Sequence, residues 1–152
     1  MPKCIKSLTG LSCFIFVICI SVASVGKIVV YSFEEKCLNS DVIGIGTVTE
    51  IRKSLFSYNK AYIRVDTVIK GRLVTQDVVV LYGNLFFTAK EDLTKFIIGG
   101  KYLVFLIAEG TTYWLVAAHD GYYRISNDNT IHLKGRRVPI ESFIFKVKEV
   151  LK

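Results

Sequence analysis

Apolar residues recur at every second position over much of this chain, which is the period of β-strands that place one face against a core. In the range 61–69 the apolar residues alternate with Arg64 and Asp66, so the two sets of side chains point to opposite faces of a strand. The same alternation, bounded by turns that contain glycine or asparagine, predicts further strands over residues 77–82, 101–107, 112–118, 122–125 and 130–133.

The first strand, predicted over residues 42–51, carries two glycines that interrupt its pattern. Apolar residues occupy odd positions around Gly44 and Gly46 and an even position, Val48, after them. A glycine inside a strand pattern indicates a bulge or a sharp bend. A first strand bent in this way can join both sides of one sheet, as a small closed barrel requires.

Two segments have the period of a helix instead. Phe33 and Cys37 are four residues apart and predict a short helix that ends near Asn39. After Pro139, which suits a first helical turn, one apolar stripe predicts a C-terminal amphipathic helix; it consists of Ile140, Phe143, Ile144, Val147, Val150 and Leu151. We expect this helix to pack on the domain, and docking to a partner or a membrane surface is the alternative.

The order of these elements indicates a fold class. Thr88 and Glu91 have the spacing of a capping box and predict another short helix over residues 90–97, between the third and fourth strands. We therefore predict an all-β fold with peripheral helices. Its centre is a five- to six-stranded Greek-key barrel of the oligonucleotide/oligosaccharide-binding (OB) type, with a short N-terminal helix and a C-terminal amphipathic helix.

Residues 1–26 differ from the rest of the chain. Two lysines precede an uncharged, largely apolar stretch, and small residues follow it up to Ala23 and Gly26, near which we expect cleavage. This is the pattern of a secretory signal peptide. An uncleaved membrane anchor stays open, because about 20 uncharged residues can just span a bilayer. The predicted domains are thus this leader and a barrel domain over 27–152, and we expect export to a secreted, periplasmic or outer membrane-face location.

Composition narrows the possibilities further. The 152 residues are 51% hydrophobic with 2 prolines, which excludes a disordered chain, and one long uncharged stretch excludes a polytopic membrane protein. Only Cys37 of the 4 cysteines lies outside the leader. We expect it to be a buried apolar residue, with an intermolecular disulfide as the alternative. Without the two leader lysines the net charge of +7 becomes +5, too small a bias to indicate nucleic acid by itself.

Candidate catalytic groups are few. His119 and Asp120 are adjacent, and adjacent residues of a strand point to opposite faces, so they cannot act there as a base and its orienting acid. We expect Asp120 to form a turn with Gly121 and His132 to lie on a solvated strand face. The sequence has no nucleophile-elbow, zinc-protease or phosphate-loop motif. We therefore expect no enzyme activity, no catalytic residue, no bound metal and no cofactor.

Three segments resemble the netrin-like modules, whose fold is shared with the tissue inhibitors of metalloproteinases. They are the opening strand at 40–48, the second strand with its Lys-Gly turn at 62–71, and the segment 100–106, which resembles a later strand of bacterial members. The resemblance covers residues 33–152 and implies an exported OB-type barrel that works by binding proteins or surfaces. The N-terminal cysteine with which the inhibitors chelate zinc has no counterpart, since Cys37 does not follow a signal-peptidase site.

The predicted function is an exported, non-enzymatic binding module whose ligand the sequence does not identify. Aromatic and basic residues beside two turns, one of them an Arg-Arg turn, are the candidate contacts: Tyr122, Tyr123, Arg124, Arg136 and Arg137. We expect a protein or cell-envelope partner, and membrane contact only through an uncleaved N-terminal segment. The alternative is an OB-fold protein that binds single-stranded nucleic acid or another anionic polymer. Export argues against nucleic acid, because it removes the chain from most of it.

Overall fold

A computed structural model describes residues 31–54, 57–84, 96–117, 120–133 and 135–152. Within these ranges the chain forms eight strands, β1 (Val42–Arg52), β2 (Tyr58–Lys70), β3 (Asp77–Asn84), β4 (Lys101–Glu109), β5 (Thr112–Leu115), β6 (Tyr122–Ile125), β7 (Thr130–Leu133) and β8 (Arg136–Pro139). It also forms two helices, α1 (Phe33–Asn39) and α2 (Ile140–Val150). The predicted leader with Ala23 and Gly26, most of the helix predicted over 90–97, and His119 lie outside the described residues.

Five of these strands close into a barrel. β1 pairs antiparallel with both β2 and β4, β2 pairs antiparallel with β3, and β5 lies between β3 and β4. The contact of β3 with β5 is parallel and short, joining Val80 to Tyr113 and Leu81 to Trp114. The closed order β1–β2–β3–β5–β4–β1 confirms the predicted OB-type barrel with peripheral helices.

The bend predicted at the two glycines of β1 is confirmed. The pairing of β1 with β2 shifts register between Ile43 and Gly44 and again between Ile45 and Gly46. The strand comes so close to β2 here that a Cβ atom on Gly46 would lie 2.5 Å from the Arg64 carbonyl oxygen. Glycine is therefore required at this position for β1 to pair with β2 on one side and β4 on the other.

Two apolar clusters lie on opposite sides of β1 and β4. Side chains that point into the barrel form the first cluster; among them are Val42, Val48, Ile63, Val80, Tyr102, Val104 and Leu106. In the second cluster, side chains of β1 and β4 that point out of the barrel (Ile43, Ile45, Leu103 and Phe105) meet residues of the elements outside it, among them Cys37, Ile131, Phe143 and Val147. Residues Tyr102–Leu106 are all fully buried because both faces of β4 are covered.

The second cluster exists because a further layer covers one wall of the barrel. β6 pairs with the first half of β4, and β7 and β8 extend the sheet from β6. β8 runs directly into α2, whose buried residues Ile140, Phe143 and Val147 confirm the predicted apolar stripe. α1 packs beside α2 and buries Cys37 completely, as predicted.

Several predicted boundaries were wrong. The strand predicted to end at residue 118 ends at Leu115, and the predicted Arg136-Arg137 turn is part of strand β8. The turn lies one step earlier, at Gly135, whose φ of 80° places it in the left-handed region that glycine tolerates. Phe96 and Ile97, predicted to end a helix, lie in irregular backbone. In the part of the chain that the structure describes, no helix is long and apolar enough to cross a membrane.

Candidate functional site

A broad, open groove of about 1880 Å³ lies between α1, the β6–β8 sheet and α2, and we call it the helix–sheet groove. Its walls are the start of α1, the turn at residues 126–128, β8 and one side of α2. Sites for small molecules usually have volumes of about 300–1,000 Å³. The groove is thus larger than a small-molecule pocket and fits a segment of a polymer better.

The floor of the groove is a cluster of aromatic rings. The ring centroid of Phe143 lies 5.0 Å from that of Phe33 and 5.2 Å from that of Tyr123, both in edge-to-face geometry. Phe105 of β4 adds edge-on contacts with Tyr123 and Phe33 from below. Such pairs hold one another's orientation. The rings therefore form a fixed apolar floor.

Lys36 is the one lysine buried on this floor within the described chain, with only 4% of its side chain exposed. Its Nζ donates a hydrogen bond of 3.0 Å to Asp120 Oδ2 and one of 3.3 Å to the Tyr123 hydroxyl. The ammonium group also lies 5.4 Å from the centre of the Tyr123 ring. The capping box of α1, formed by Ser32 and Glu35, fixes the helix that carries Lys36.

Cations dominate the rim. The groove is lined by five basic side chains (Lys36, Arg124, Arg136, Arg137 and Lys146) and three acidic ones (Glu35, Asp120 and Asp128). All three carboxylates have partners in the protein: Glu35 accepts from the Ser32 N–H, Asp120 from Lys36, and Asp128 from Thr130. The groove therefore has an excess of two positive charges.

The basic side chains differ in what they contact. Arg137 Nη1 lies 3.5 Å from Asp128 Oδ2, and Lys146 Nζ lies 4.9 Å from the centre of the Phe33 ring. The hydrogen bond that the Thr130 hydroxyl donates to Asp128 lowers the pKa of this carboxyl group, and the positive charge of Arg137 adds a smaller effect in the same direction. Asp128 therefore stays ionised. Arg124 and Arg136 are exposed and form no ion pair within the described residues. These two guanidinium groups are available to an external anion.

All five predicted contact residues line this groove. Arg124, Arg136 and Arg137 are on its rim, and Tyr123 is on its floor. Tyr122 is at its margin: its ring packs against Phe96 and Tyr102, 5.0 and 5.8 Å away between centroids, towards the barrel interior. The prediction that these residues bind a ligand stays a prediction, but the structure places them on one surface.

Sequence reasoning missed the buried cation of this site. Lys36 and Asp120 are 84 positions apart, and neither has a local signal that predicts their contact. Lys146 lies off the apolar stripe of α2, and its local pattern does not predict that it lines the groove. The short helix predicted from Phe33 and Cys37 is informative in one respect, because it places Lys36 next to the buried Cys37 on the same helix.

A second aromatic surface lies on the outer face of β2 and β5. The Tyr58 ring packs edge-on against Trp114 at 4.5 Å, and the Arg52 guanidinium lies 4.7 Å from the centre of the Tyr62 ring. Arg52 forms an ion pair of 2.5 Å with the Glu50 carboxylate, and the neighbouring Arg64 forms one of 3.1 Å with Asp77. This surface lacks the uncompensated arginines of the groove.

The described residues contain no group of three or more His, Cys, Asp or Glu side chains placed to hold a metal ion. His132, the histidine within the described chain, is exposed on β7 at the edge of the groove, on the solvated face predicted for it. The chain matches no known protein-family model, and no curated protein is significantly similar to it. The netrin-like resemblance therefore rests on the sequence segments alone.

Proposed function

We propose that this chain is an exported, non-enzymatic binding module that takes an acidic segment of a partner protein into the helix–sheet groove. The observation that carries the proposal is the pair of exposed guanidinium groups of Arg124 and Arg136, which have no ion-pair partner within the described residues. They lie beside an apolar floor in a groove with excess positive charge.

The proposed contacts follow from these groups. Arginine binds carboxylates through two parallel N–H···O bonds, so Arg124 and Arg136 can each hold one side chain of an acidic peptide. Phe33 and Tyr123 are partly buried and offer apolar surface in the same groove. Complementary charge of this kind raises association rates and selects partners.

Single-stranded nucleic acid fits the groove less well. Its bases bind by stacking on exposed aromatic faces. The rings of the groove floor are instead packed edge-to-face with each other, and Phe143 is 3% exposed. The outer surface around Tyr58 and Trp114 offers rings, but its arginines are paired with carboxylates. We therefore favour an acidic protein segment, and nucleic acid is an outcome of the test.

The export part of the proposal is supported by the leader pattern over residues 1–26 and by the netrin-like resemblance. It is tested by intact mass analysis of the N-terminus in the secreted and membrane fractions. A start at Ser24 or Lys27 supports cleavage and export. An intact Met1 in the membrane fraction supports an anchor, and an intact chain in the soluble cell fraction contradicts export.

The binding part is tested with a fluorescent octaglutamate peptide, an octaglutamine peptide of the same length and an eight-nucleotide oligo-dT strand. Each is titrated into the wild-type protein at increasing salt. The double variant Arg124→Gln/Arg136→Gln should weaken octaglutamate binding by about tenfold or more, as expected for two lost charge-assisted contacts.

The matched control is Lys60→Gln/Arg72→Gln, which removes the same charge from exposed sites on β2 and the turn after it, away from the groove. It should change the affinity by less than about twofold. Equal losses in both double variants would show that binding is non-specific attraction. Tighter binding of oligo-dT than of octaglutamate would favour the nucleic-acid alternative, and binding of octaglutamine would contradict charge recognition.

A further inference from the structure

We propose that Asp120 occupies, in the unbound protein, the place of a carboxylate of the ligand, and that the incoming acidic side chain displaces it from Lys36. This inference rests on the proposed function and extends it, because it assigns the deepest contact of the groove and the chemical class that it recognises. The ligand is an acidic peptide, with one Asp or Glu side chain bound by Lys36.

The unequal burial of the two partners is the main observation. The Lys36 side chain is 4% exposed, whereas that of Asp120 is 66% exposed. A buried ammonium group needs an anion beside it, because leaving it unpaired is costly. An exposed carboxylate loses little when it returns to water. The contact can therefore be exchanged at low cost on the Asp120 side, provided that another anion reaches Lys36.

The two partners also differ in the elements that carry them. Asp120 lies outside any strand, between the last described residue of the β5 segment and β6, and its N–H donates to the Ala117 carbonyl. Lys36, in contrast, is fixed on α1, which is capped at its start and held at its end by bonds from Lys70 to the carbonyls of Cys37 and Leu38. The cation is thus fixed and its partner is at the surface.

The identity of the internal anion indicates the class of ligand. The site already accommodates a carboxylate at 3.0 Å from Nζ, with the Tyr123 hydroxyl as a second acceptor at 3.3 Å. A side-chain carboxylate of a peptide reproduces this arrangement atom for atom. The neighbouring acidic residues of the same peptide then reach Arg124 and Arg136 on the rim, which have no internal carboxylate to displace within the described chain.

Displacement of an internal competitor lowers the apparent affinity, because only the open fraction of molecules can bind at this point. Removing the competitor should therefore tighten binding. For an ion pair with one exposed partner, the expected gain is about fivefold. The same change should have no such effect when Lys36 is absent.

The test measures octaglutamate affinity for Asp120→Ala, Lys36→Met and the double variant Lys36→Met/Asp120→Ala. The matched control is Asp128→Ala, which removes an exposed carboxylate of the same groove that pairs with Arg137 and not with Lys36. Circular dichroism and thermal unfolding establish that each variant is folded at the assay temperature. We expect Asp120→Ala to bind about fivefold more tightly than wild type and more tightly than Asp128→Ala, and this gain to disappear in the double variant.

A second measurement does not depend on the stability of the variants. The nuclear magnetic resonance signals of the Lys36 ε-methylene group should shift when octaglutamate is added to the wild-type protein, because the anion at Nζ changes. Unshifted Lys36 signals at saturation, or an Asp120→Ala affinity no higher than that of Asp128→Ala, would overturn the inference. If octaglutamate binds neither the wild-type protein nor any of the variants, the proposed function itself is wrong.

Discussion

Because Lys36 is buried and Asp120 is exposed, we predict that substituting one partner of this ion pair affects protein stability more than substituting the other. Truncating the exposed partner, by Asp120→Ala, leaves a buried ammonium group with only the Tyr123 hydroxyl as a described hydrogen-bond partner. Removing the buried partner, by Lys36→Met, leaves an exposed carboxylate in water. The two substitutions break the same contact, yet they should have different effects on the free energy of unfolding.

The magnitudes follow from the cost of an unsatisfied charge. A lost hydrogen bond to a charged group is worth about 1.5–3 kcal/mol. Loss of the Asp120 side chain also admits water to Nζ from the open groove, so we expect Asp120→Ala to lower the free energy of unfolding by about 1–2 kcal/mol. Methionine fills the volume of Lys36 without a buried charge, so Lys36→Met should change stability by less than about 1 kcal/mol in either direction.

Urea unfolding, followed by circular dichroism, measures both values. The slope of the free energy against urea concentration should be the same in wild type and variants, so that midpoint shifts report stability. The double variant should resemble Lys36→Met alone, because Asp120 has no role once the ammonium group is gone. A Lys36→Met variant that is destabilised as much as Asp120→Ala would refute the reasoning from burial.

Three other predictions concern the scaffold. Gly46→Ala should cost about 1–3 kcal/mol in urea unfolding, because its Cβ would lie 2.5 Å from the Arg64 carbonyl oxygen; an unchanged midpoint would contradict the close approach of β1 and β2. Phe143 is 3% exposed, so Phe143→Ala should lower the free energy of unfolding by about 3–5 kcal/mol. Phe145 on the same helix is 61% exposed, so Phe145→Ala should lower it by less than about 1 kcal/mol. Equal losses would contradict the packing of α2. Burial, with a smaller effect of the nearby Glu34, raises the pKa of Cys37 from 9.0 to about 11. The stability that the Cys37 thiol provides is therefore complete below pH 9 and is lost as the pH rises towards 11. In urea unfolding over this range, the free energy of unfolding should fall more steeply with pH for wild type than for Cys37→Ala, and equal slopes would contradict the burial of the thiol.

The barrel could be predicted from the sequence because its strands carry strong local signals. The alternation of apolar and polar residues in β2 reflects a strand with one buried face. The glycines of β1 reflect the close approach of this strand to β2. The turn between β6 and β7 is likewise predictable from its asparagines, because Asn129 adopts a φ of 56° there, which asparagine tolerates better than most residues.

Other parts lack such signals. β8 has the sequence Arg-Arg-Val-Pro, which shows no alternation, and it is a strand because it pairs with β7 beyond the turn at Gly135. Its extent is set by tertiary contact, which a local pattern cannot report. The same holds for the groove. Three of its predicted residues are consecutive on β6, but Lys36 and Lys146 join them only when both helices fold against the sheet.

The two-layer arrangement explains why the candidate site lies outside the barrel. The barrel interior is filled by side chains such as Tyr102 and Leu106, which are fully buried. The outer layer packs on β1 and β4 through its own apolar cluster and leaves its polar and basic side chains around the groove. The barrel thus supports the outer layer, and the helices and β6–β8 form the groove in which we propose that a ligand binds.

We propose that the helix–sheet groove binds an acidic protein segment, and chemical-shift mapping can locate the binding surface without any substitution. Uniformly ¹⁵N-labelled protein is titrated with octaglutamate, and the backbone signals that move are located on the structure. We expect the largest shifts at the start of α1 and in β6 and β8, around Lys36, Arg124 and Arg136, with little change on the outer face of β2 around Tyr62. Shifts concentrated at Tyr62 and Trp114, with those three groove residues unmoved, would contradict it.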